Sequence, residues 1–324
     1  MKQLKHLSPT SLGLWEQDRE QFYMKYLAEG TERKDSQSPA ASVGSSFDAY
    51  IKSDLYKSLI GKNDPKYSFE NLFETQVEPQ NRDFALNAGK HCFDCYIHSG
   101  AYSDLIDDLE QSKYEPQFEF TLEGEIERVP LIGKPDLRYI HWTDADIIFD
   151  WKVNGYCSKG NTSPAKLYSM VKDGQDGKPS RNNGQAHPDF VPFNYNGFKI
   201  GSHYLEDVNK DWGTQLSIYS WLLGESIGSE DFIVRIDQLC CKENKNGNPF
   251  LRVANQYARI SKDFQVTLLT RLQDCWRVIN SGHIFQELTL EESEEKCELL
   301  DQMATIQDQS LQELRDQSKR GWKG

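Results

Sequence analysis

Asp136 and Asp150 stand fourteen positions apart, and Lys152 follows the second of them by two. Side chains alternate along a strand, so an extended run Ile147-Ile148-Phe149-Asp150-Trp151-Lys152-Val153 puts Asp150 and Lys152 on one face and turns Trp151 away. A turn at Thr143-Asp144-Ala145-Asp146 would fold the chain back and bring Asp136 beside Asp150. Two carboxylates and one ammonium then share a small volume. Hard oxygen ligands of this kind suit Mg²⁺ or Mn²⁺, which bind water and phosphate oxygens together and steady the charge that builds up when a phosphodiester is attacked. The Trp151 backbone carbonyl is available as a further ligand, and Lys152 would orient the attacking water. Taken singly, each of the three is an ordinary turn, strand-end or surface residue. Asp150 argues against that reading, because it follows an apolar run fit to be buried, where an unpaired carboxylate is costly.

The elements that must position this trio can be read coarsely. Leu12, Trp15, Phe22 and Tyr26 recur at near-helical spacing over residues 8–27, with Pro9 near the start and Gly30 just beyond the end. A second helical pattern runs over 43–59, with Val43, Phe47, Tyr50, Ile51 and Leu55 on one side and Gly44 in its first turn. Helical character continues through 81–97 and 101–109. The period then changes: Phe118, Phe120 and Leu122 alternate with polar neighbours as in a half-buried strand, and Glu123-Gly124 supplies a turn. With 128–140 and 147–153 this predicts a β-meander as the core. Residues 154–211 are rich in Gly, Pro, Asn and Ser and read as a long irregular insertion, a place where enzymes often carry a cover. A helix over 212–227, a hairpin of 232–241 with 250–260 around Lys245-Asn246-Gly247-Asn248, and further helices complete the chain. The expected fold class is α/β, with a mixed central sheet flanked by helices. Its catalytic domain would span 1–283, including the helical N-terminal part and the insertion, and a C-terminal helical extension would occupy 284–324.

Composition bounds the partners. A net charge of −13 speaks against a protein that coats nucleic acid non-specifically, since phosphate neutralisation needs clustered Lys and Arg. The sign reverses locally: residues 151–210 hold eight Lys and Arg against five Asp and Glu, which a basic channel or merely a solvated, loop-rich surface would explain. No stretch reaches the roughly 20 apolar residues of a membrane span, and no apolar signal core opens the chain, so a cytoplasmic location without a membrane partner is expected. Seven cysteines, an odd number, are expected to be reduced thiols. Cys92 and Cys95 form a lone CxxC flanked by His91 and His98; with no second pair at ligand spacing, ordinary helix-face residues explain it better than zinc.

Three segments together resemble a known family. Gly133-Lys134-Pro135-Asp136-Leu137, then Ile148-Phe149-Asp150-Trp151-Lys152, then Gln215-Leu216-Ser217-Ile218-Tyr219 are similar to the GxxD, DxK and QxxxY motifs of RecB-like PD-(D/E)XK nucleases. That group includes the nuclease domains of RecB and AddB, the CRISPR-associated RecB-like exonucleases and many phage proteins. Counting the early helices, the resemblance covers residues 7–223. It implies a restriction-endonuclease-like fold and metal-dependent cleavage of DNA, single-stranded or at a duplex end. A phage-type exonuclease of recombination or repair, with a possible recombination partner protein, is the favoured form. Asp136 and Asp150 would be metal ligands and Lys152 the catalytic lysine. Gln215 and Tyr219, on one helical face, would line the DNA-binding side. Glu119, at the family's upstream acidic position, would support the metal, the lysine or the water; a solvent-facing strand residue is the equal alternative.

Two departures stand out. The family usually places a metal-binding His on an early helix after a Gly, whereas Gly44-Ser45-Ser46-Phe47-Asp48-Ala49 offers Asp48, a carboxylate that can serve a hard cation as imidazole does. Several members also hold a four-iron cluster through an early Cys and a late Cys triplet. The early helix here reads Trp15-Glu16-Gln17-Asp18, and Cys240, Cys241, Cys275 and Cys297 form no compact triplet, so no iron–sulfur cluster is expected. The acidic charge and the missing His motivate an alternative from another class: a non-catalytic RecB-like protein that binds DNA or protein, or an acidic mimic of DNA that blocks a nucleic-acid enzyme.

Overall fold

In a computed structural model of the chain, which describes residues 1–30, 36–61, 64–118, 120–158, 164–165, 167, 170–175, 178–179, 185–186, 191–243 and 249–321, the run around Asp150 is the strand Asp146–Val153. It pairs antiparallel with Leu137–Ile140 and parallel with Ile233–Leu239. Being flanked on both edges makes it a central strand, which explains why Ile147, Ile148 and Phe149 are all fully or almost fully buried instead of alternating. Gln117–Phe118 adds antiparallel to Leu137–Ile140, but the meander is not continuous as expected: Leu122–Ile126 and Val129–Gly133 leave it to pair with each other as a separate two-stranded sheet.

Beyond Ile233–Leu239 the sheet continues through Pro249–Ala258, Phe198–Gly201 and Pro192–Tyr195, with parallel and antiparallel neighbours mixed. The Ile233–Leu239 and Pro249–Ala258 strands pair as expected, although the proposed turn at 245–248 lies outside the described residues. Helices cover both faces. Phe47 of the helix Pro39–Ile60 packs edge-on against Trp151, and Tyr96 of Arg82–His98 donates its hydroxyl proton to Asp237, so these two helices lie on the Trp151 side. Lys210–Leu222 lies on the Asp150 side, where Gln215 reaches the carboxylate. The fold is therefore mixed α/β, with a mixed central sheet flanked by helices.

Local chemistry fixes the helix that matters most. Ser38 caps Pro39–Ile60 by accepting from the Ala41 N–H at 3.2 Å, Pro39 occupies the first turn, and Gly61 ends the helix with a φ of +66°. Gly89 of Arg82–His98 lets the two helices approach: a Cβ there would lie 2.2 Å from the Ser46 hydroxyl and 2.8 Å from the Phe47 nitrogen.

Several expectations need correction. The helix over 8–27 is broken: Pro9–Gln17 ends at Asp18, whose extended backbone (φ −154°, ψ 97°) starts a new short helix, Arg19–Phe22, followed by a π-helical turn, Tyr23–Leu27. The Asp18 carboxylate accepts from the Gln21 N–H at 2.9 Å, so the break is an N-cap inside an apolar pattern that continues across it. Glu123-Gly124 is not a turn but part of the strand Leu122–Ile126, paired with Val129–Gly133; the turn falls on Glu127 and Arg128, both at positive φ. The helix expected over 212–227 is Lys210–Leu222, and Gly224 and Gly228, both at positive φ, lie beyond its end. The insertion is not simply irregular. Met170–Gln175 pairs with Pro249–Ala258, and Pro192–Tyr195 and Phe198–Gly201 form the far edge of the sheet, held by ladder hydrogen bonds that leave little periodic trace in sequence. The helix Phe69–Gln76 lies where no element was expected.

By compactness the chain forms two units, Met1–Asp35 with Leu122–Gly133 and Gln265–Gly324, and Ser36–Thr121 with Lys134–Phe264. In the first unit Leu7 bridges to Leu131, Trp15 stacks edge-on with Phe22, and the Tyr23 hydroxyl donates to the Cys297 carbonyl. The second unit holds the sheet just described. Among the described residues no helix is long and apolar enough to cross a membrane.

Candidate functional site

The register of the meander does what the spacing required. Leu137 lies opposite Phe149, so one further step along the same antiparallel pair sets Asp136, just before its strand, opposite Asp150. Asp136 Oδ2 accepts the Trp151 N–H at 3.1 Å, which locks the two strand ends together. Lys152 forms a close ion pair with Asp150 and donates to Gln215 Oε1 at 2.7 Å. Gln215 Nε2 donates in turn to Asp150 Oδ1 at 3.2 Å and to the Tyr219 hydroxyl at 2.9 Å. Asn209 caps the helix that carries Gln215 and Tyr219, accepting from the Asp211 and Trp212 N–H groups. These bonds make Gln215 the link between Lys152 and Asp150, a positioning role that spacing alone did not assign.

Asp48 belongs to the same centre. It lines, with Gly44, Lys134, Asp136, Asp150 and Lys152, a pocket of about 390 Å³. Gly44 also lines it, and a Cβ there would meet no atom within 4 Å. Asp48 reaches Asp136 through Lys52, whose Nζ lies 2.7 Å from the Asp48 carboxylate and 3.1 Å from Asp136 Oδ1. Lys52 is 1% exposed and was missed in the sequence. The weak signal for it is that the lysine stands next to Ile51 and three residues before Leu55, both apolar, although its spacing from Asp48 is that of a surface pair. Glu119 lies outside the described residues, and nothing places it relative to the site.

The electrostatics separate the two facing carboxylates. Burial pushes Asp136 upward, but the Lys52 and Lys152 charges and the Trp151 N–H outweigh it and hold the group below the ordinary carboxylate range. For Asp150 burial wins: although Lys152 pulls the other way, burial together with the negative charge of Asp136 raises it to about 7. Tyr219 is raised by burial and by the charge of Asp150.

The Asp150 shift sets a stability profile in the absence of divalent cations. Between the ordinary aspartate value of ~3.9 and about 7, the folded chain keeps a proton that the unfolded chain has lost. This contribution is full below pH ~4 and fades as pH rises towards about 7. Asp136, lowered, acts in the opposite sense and only in more acid solution. Denaturant midpoints measured in chelator should therefore carry a falling component across that window, and Asp150→Asn should remove it. An identical slope in the variant would contradict the assignment.

The donor set can be tested for a cation. Among the described residues no three His, Cys, Asp or Glu stand grouped as a ready cage. Asp136 and Asp150, on adjacent strand ends with Trp151 in the pocket wall, fit an ion that keeps several waters, as Mg²⁺ does when bound by one or two carboxylates. The other candidate metal motif does not assemble in this way. Cys92 and Cys95 are buried on a helix face, His91 Nε2 lies 3.5 Å from the Cys95 sulfur, and all seven cysteines are free thiols.

No protein family matches the chain, and no curated protein matches it. Among solved structures, the crystal structure of a protein named SSO0001 aligns with a TM-score of 0.28 at 11% identity, over 82% of this chain and 85% of that chain. An overlap this loose bears on neither fold nor chemistry, and the functional reading rests on the residues themselves.

Proposed function

We propose that the chain is a divalent-cation-dependent DNA nuclease of the PD-(D/E)XK type, on a restriction-endonuclease-like plan. The observation that carries the reading is the convergence of Asp136, Asp150 and Lys152 at one pocket, with Gln215 bonded to both members of the Asp150–Lys152 pair. The order of elements supports it as well: helices, three antiparallel strands with a separate hairpin inserted after the first, then, beyond the strands of 170–201, the helix Lys210–Leu222 and a strand parallel to the one that carries Asp150. A purely structural aspartate–lysine pair would gain little from so much burial, since a buried ion pair is weak as a source of stability.

In this reading Asp136, Asp150 and the Trp151 carbonyl would hold Mg²⁺ or Mn²⁺, which when bound neutralises phosphate charge and makes water a better nucleophile. Lys152, partly exposed in the pocket wall, would orient that water near the scissile phosphate. Gln215 fixes the direction of the lysine, and Tyr219 steadies Gln215 from the next turn. Lys134 gives the pocket a further positive group for the DNA backbone. The motif resemblance favours exonuclease action in recombination or repair.

The test is to incubate wild-type protein with end-labelled linear DNA and covalently closed circular DNA, each as duplex and single strand, in Mg²⁺, Mn²⁺ or chelator. Cation-dependent loss of the linear substrates is the expected result. The net charge of −13 favours the non-catalytic alternative, for which binding or blocking without cleavage in either cation would be the sign.

A further inference from the structure

The centre contains a cation that belongs to the chain itself. Lys52 is enclosed on the helix Pro39–Ile60, and an ammonium in such a place is costly unless its charge is answered. Two carboxylates answer it, Asp48 at 2.7 Å and Asp136 at 3.1 Å. Only 1% of Lys52 is exposed, so its charge is answered inside the protein and not by bulk water. Asp136 then divides its two oxygens: Oδ1 faces Lys52, while Oδ2 takes the Trp151 N–H on the Asp150 side.

Two-cation phosphodiester centres place their ions ~3.5–4 Å apart with a carboxylate between them. Here a carboxylate lies between an ammonium and a candidate ion position. A divalent ion brought next to Lys52 would meet like charge with little water between, and Asp48 and Asp136 would have to abandon the lysine to bind it.

We propose that Lys52 is a built-in replacement for a second cation, so that the centre takes one divalent ion, on the Asp136–Asp150 side, and not two. Asp48 is then the counter-charge of Lys52 and not a ligand of the ion. The identity of the ion rests on the nuclease reading; the count does not. Lys52 acts through Asp136 and is a positioning residue, holding one oxygen of that carboxylate so that the other side stays set for the ion.

The test counts Mn²⁺ bound to the full chain, from the electron paramagnetic resonance signal of free Mn²⁺ alongside calorimetric titration. Asp136 borders both positions, so the ions lost in Asp136→Asn are those of the centre, and surface acids drop out of the difference. Wild type should lose one ion by this measure, and Lys52→Arg should also hold one. Lys52→Met, which keeps the apolar stem, should hold two, and Lys52→Met with Asp48→Asn should return to one. Two ions in wild type, or an unchanged count in folded Lys52→Met, would overturn the proposal. If Lys52→Met does not fold, the wild-type count decides: one supports, two overturns. No ion in wild type would overturn both this inference and the nuclease reading, whereas one ion without DNA cleavage would leave the inference standing and remove the nuclease.

Discussion

Asp150→Asn should abolish cation-dependent DNA cleavage, by roughly 10³-fold or more, while leaving the cation-free protein at pH 7 at least as resistant to denaturant as the wild type. The two halves of this expectation have one cause. Asp150 is 3% exposed, and burial raises its carboxyl to about 7, so ionising it near neutral pH works against the folded state. An asparagine keeps the shape and offers Gln215 an acceptor, but it removes the charge that a cation would need. A residue kept for structure would behave in the opposite way, losing stability and leaving chemistry alone. Cleavage rates under single-turnover conditions and urea midpoints on the same preparations check both halves. Lys152→Ala should fall in the same direction, by roughly 10²–10⁴-fold in rate, since it removes the group proposed to orient water.

The second large effect lies on the other face of the same strands. Arg235 is fully enclosed, with Nε and Nη2 donating to Asp237 at 3.0 and 3.2 Å and Nη1 donating to Asp108 at 2.6 Å. Tyr96 donates to Asp237, and Tyr257 donates to Asp108 at 2.7 Å. Arg235 and Asp237 pair with Phe149 and Trp151 in register, so this network lies on the strand beside the one that carries Asp150, on the opposite face of the sheet. Removing one partner leaves a buried carboxylate uncompensated, and Arg235→Met should cost about 3–5 kcal/mol. Adding Asp237→Asn removes the stranded charge and should recover part of that loss. Unfolding in guanidinium, followed on the single and double variants, measures the difference. A loss below ~1 kcal/mol for Arg235→Met would mean that the network is not carrying the sheet centre.

How much of this was legible in the sequence depends on what each feature leaves there. The pairing of Asp136 with Asp150 was readable because strand alternation and a turn fix register locally, and the structure continues that register as expected. The helices Arg82–His98 and Ala101–Glu110 were readable from periodicity. Lys52 was not, because a lysine four residues after an aspartate on a helix usually marks a solvated face, and only the sheet end packed against it makes this one buried. Arg235 and Asp237 look like the polar half of an alternating strand, and nothing local reveals that both faces of that strand are covered. The strands at 170–175, 192–195 and 198–201 depend on partners far along the chain, and the Asp18 cap interrupts a helix whose apolar spacing runs straight through it. In each case the missing information is tertiary pairing.

The central claim is that Asp136, Asp150 and Lys152 hydrolyse DNA with a divalent cation. The most direct measurement is release of acid-soluble nucleotides from linear DNA by the wild type in Mg²⁺ and Mn²⁺, set beside Asp136→Asn, Asp150→Asn and Lys152→Ala proteins of verified fold. The account predicts release by the wild type, none in chelator, and loss in all three variants. Equal inertness of wild type and variants in both cations, or equal activity in all four, would contradict it.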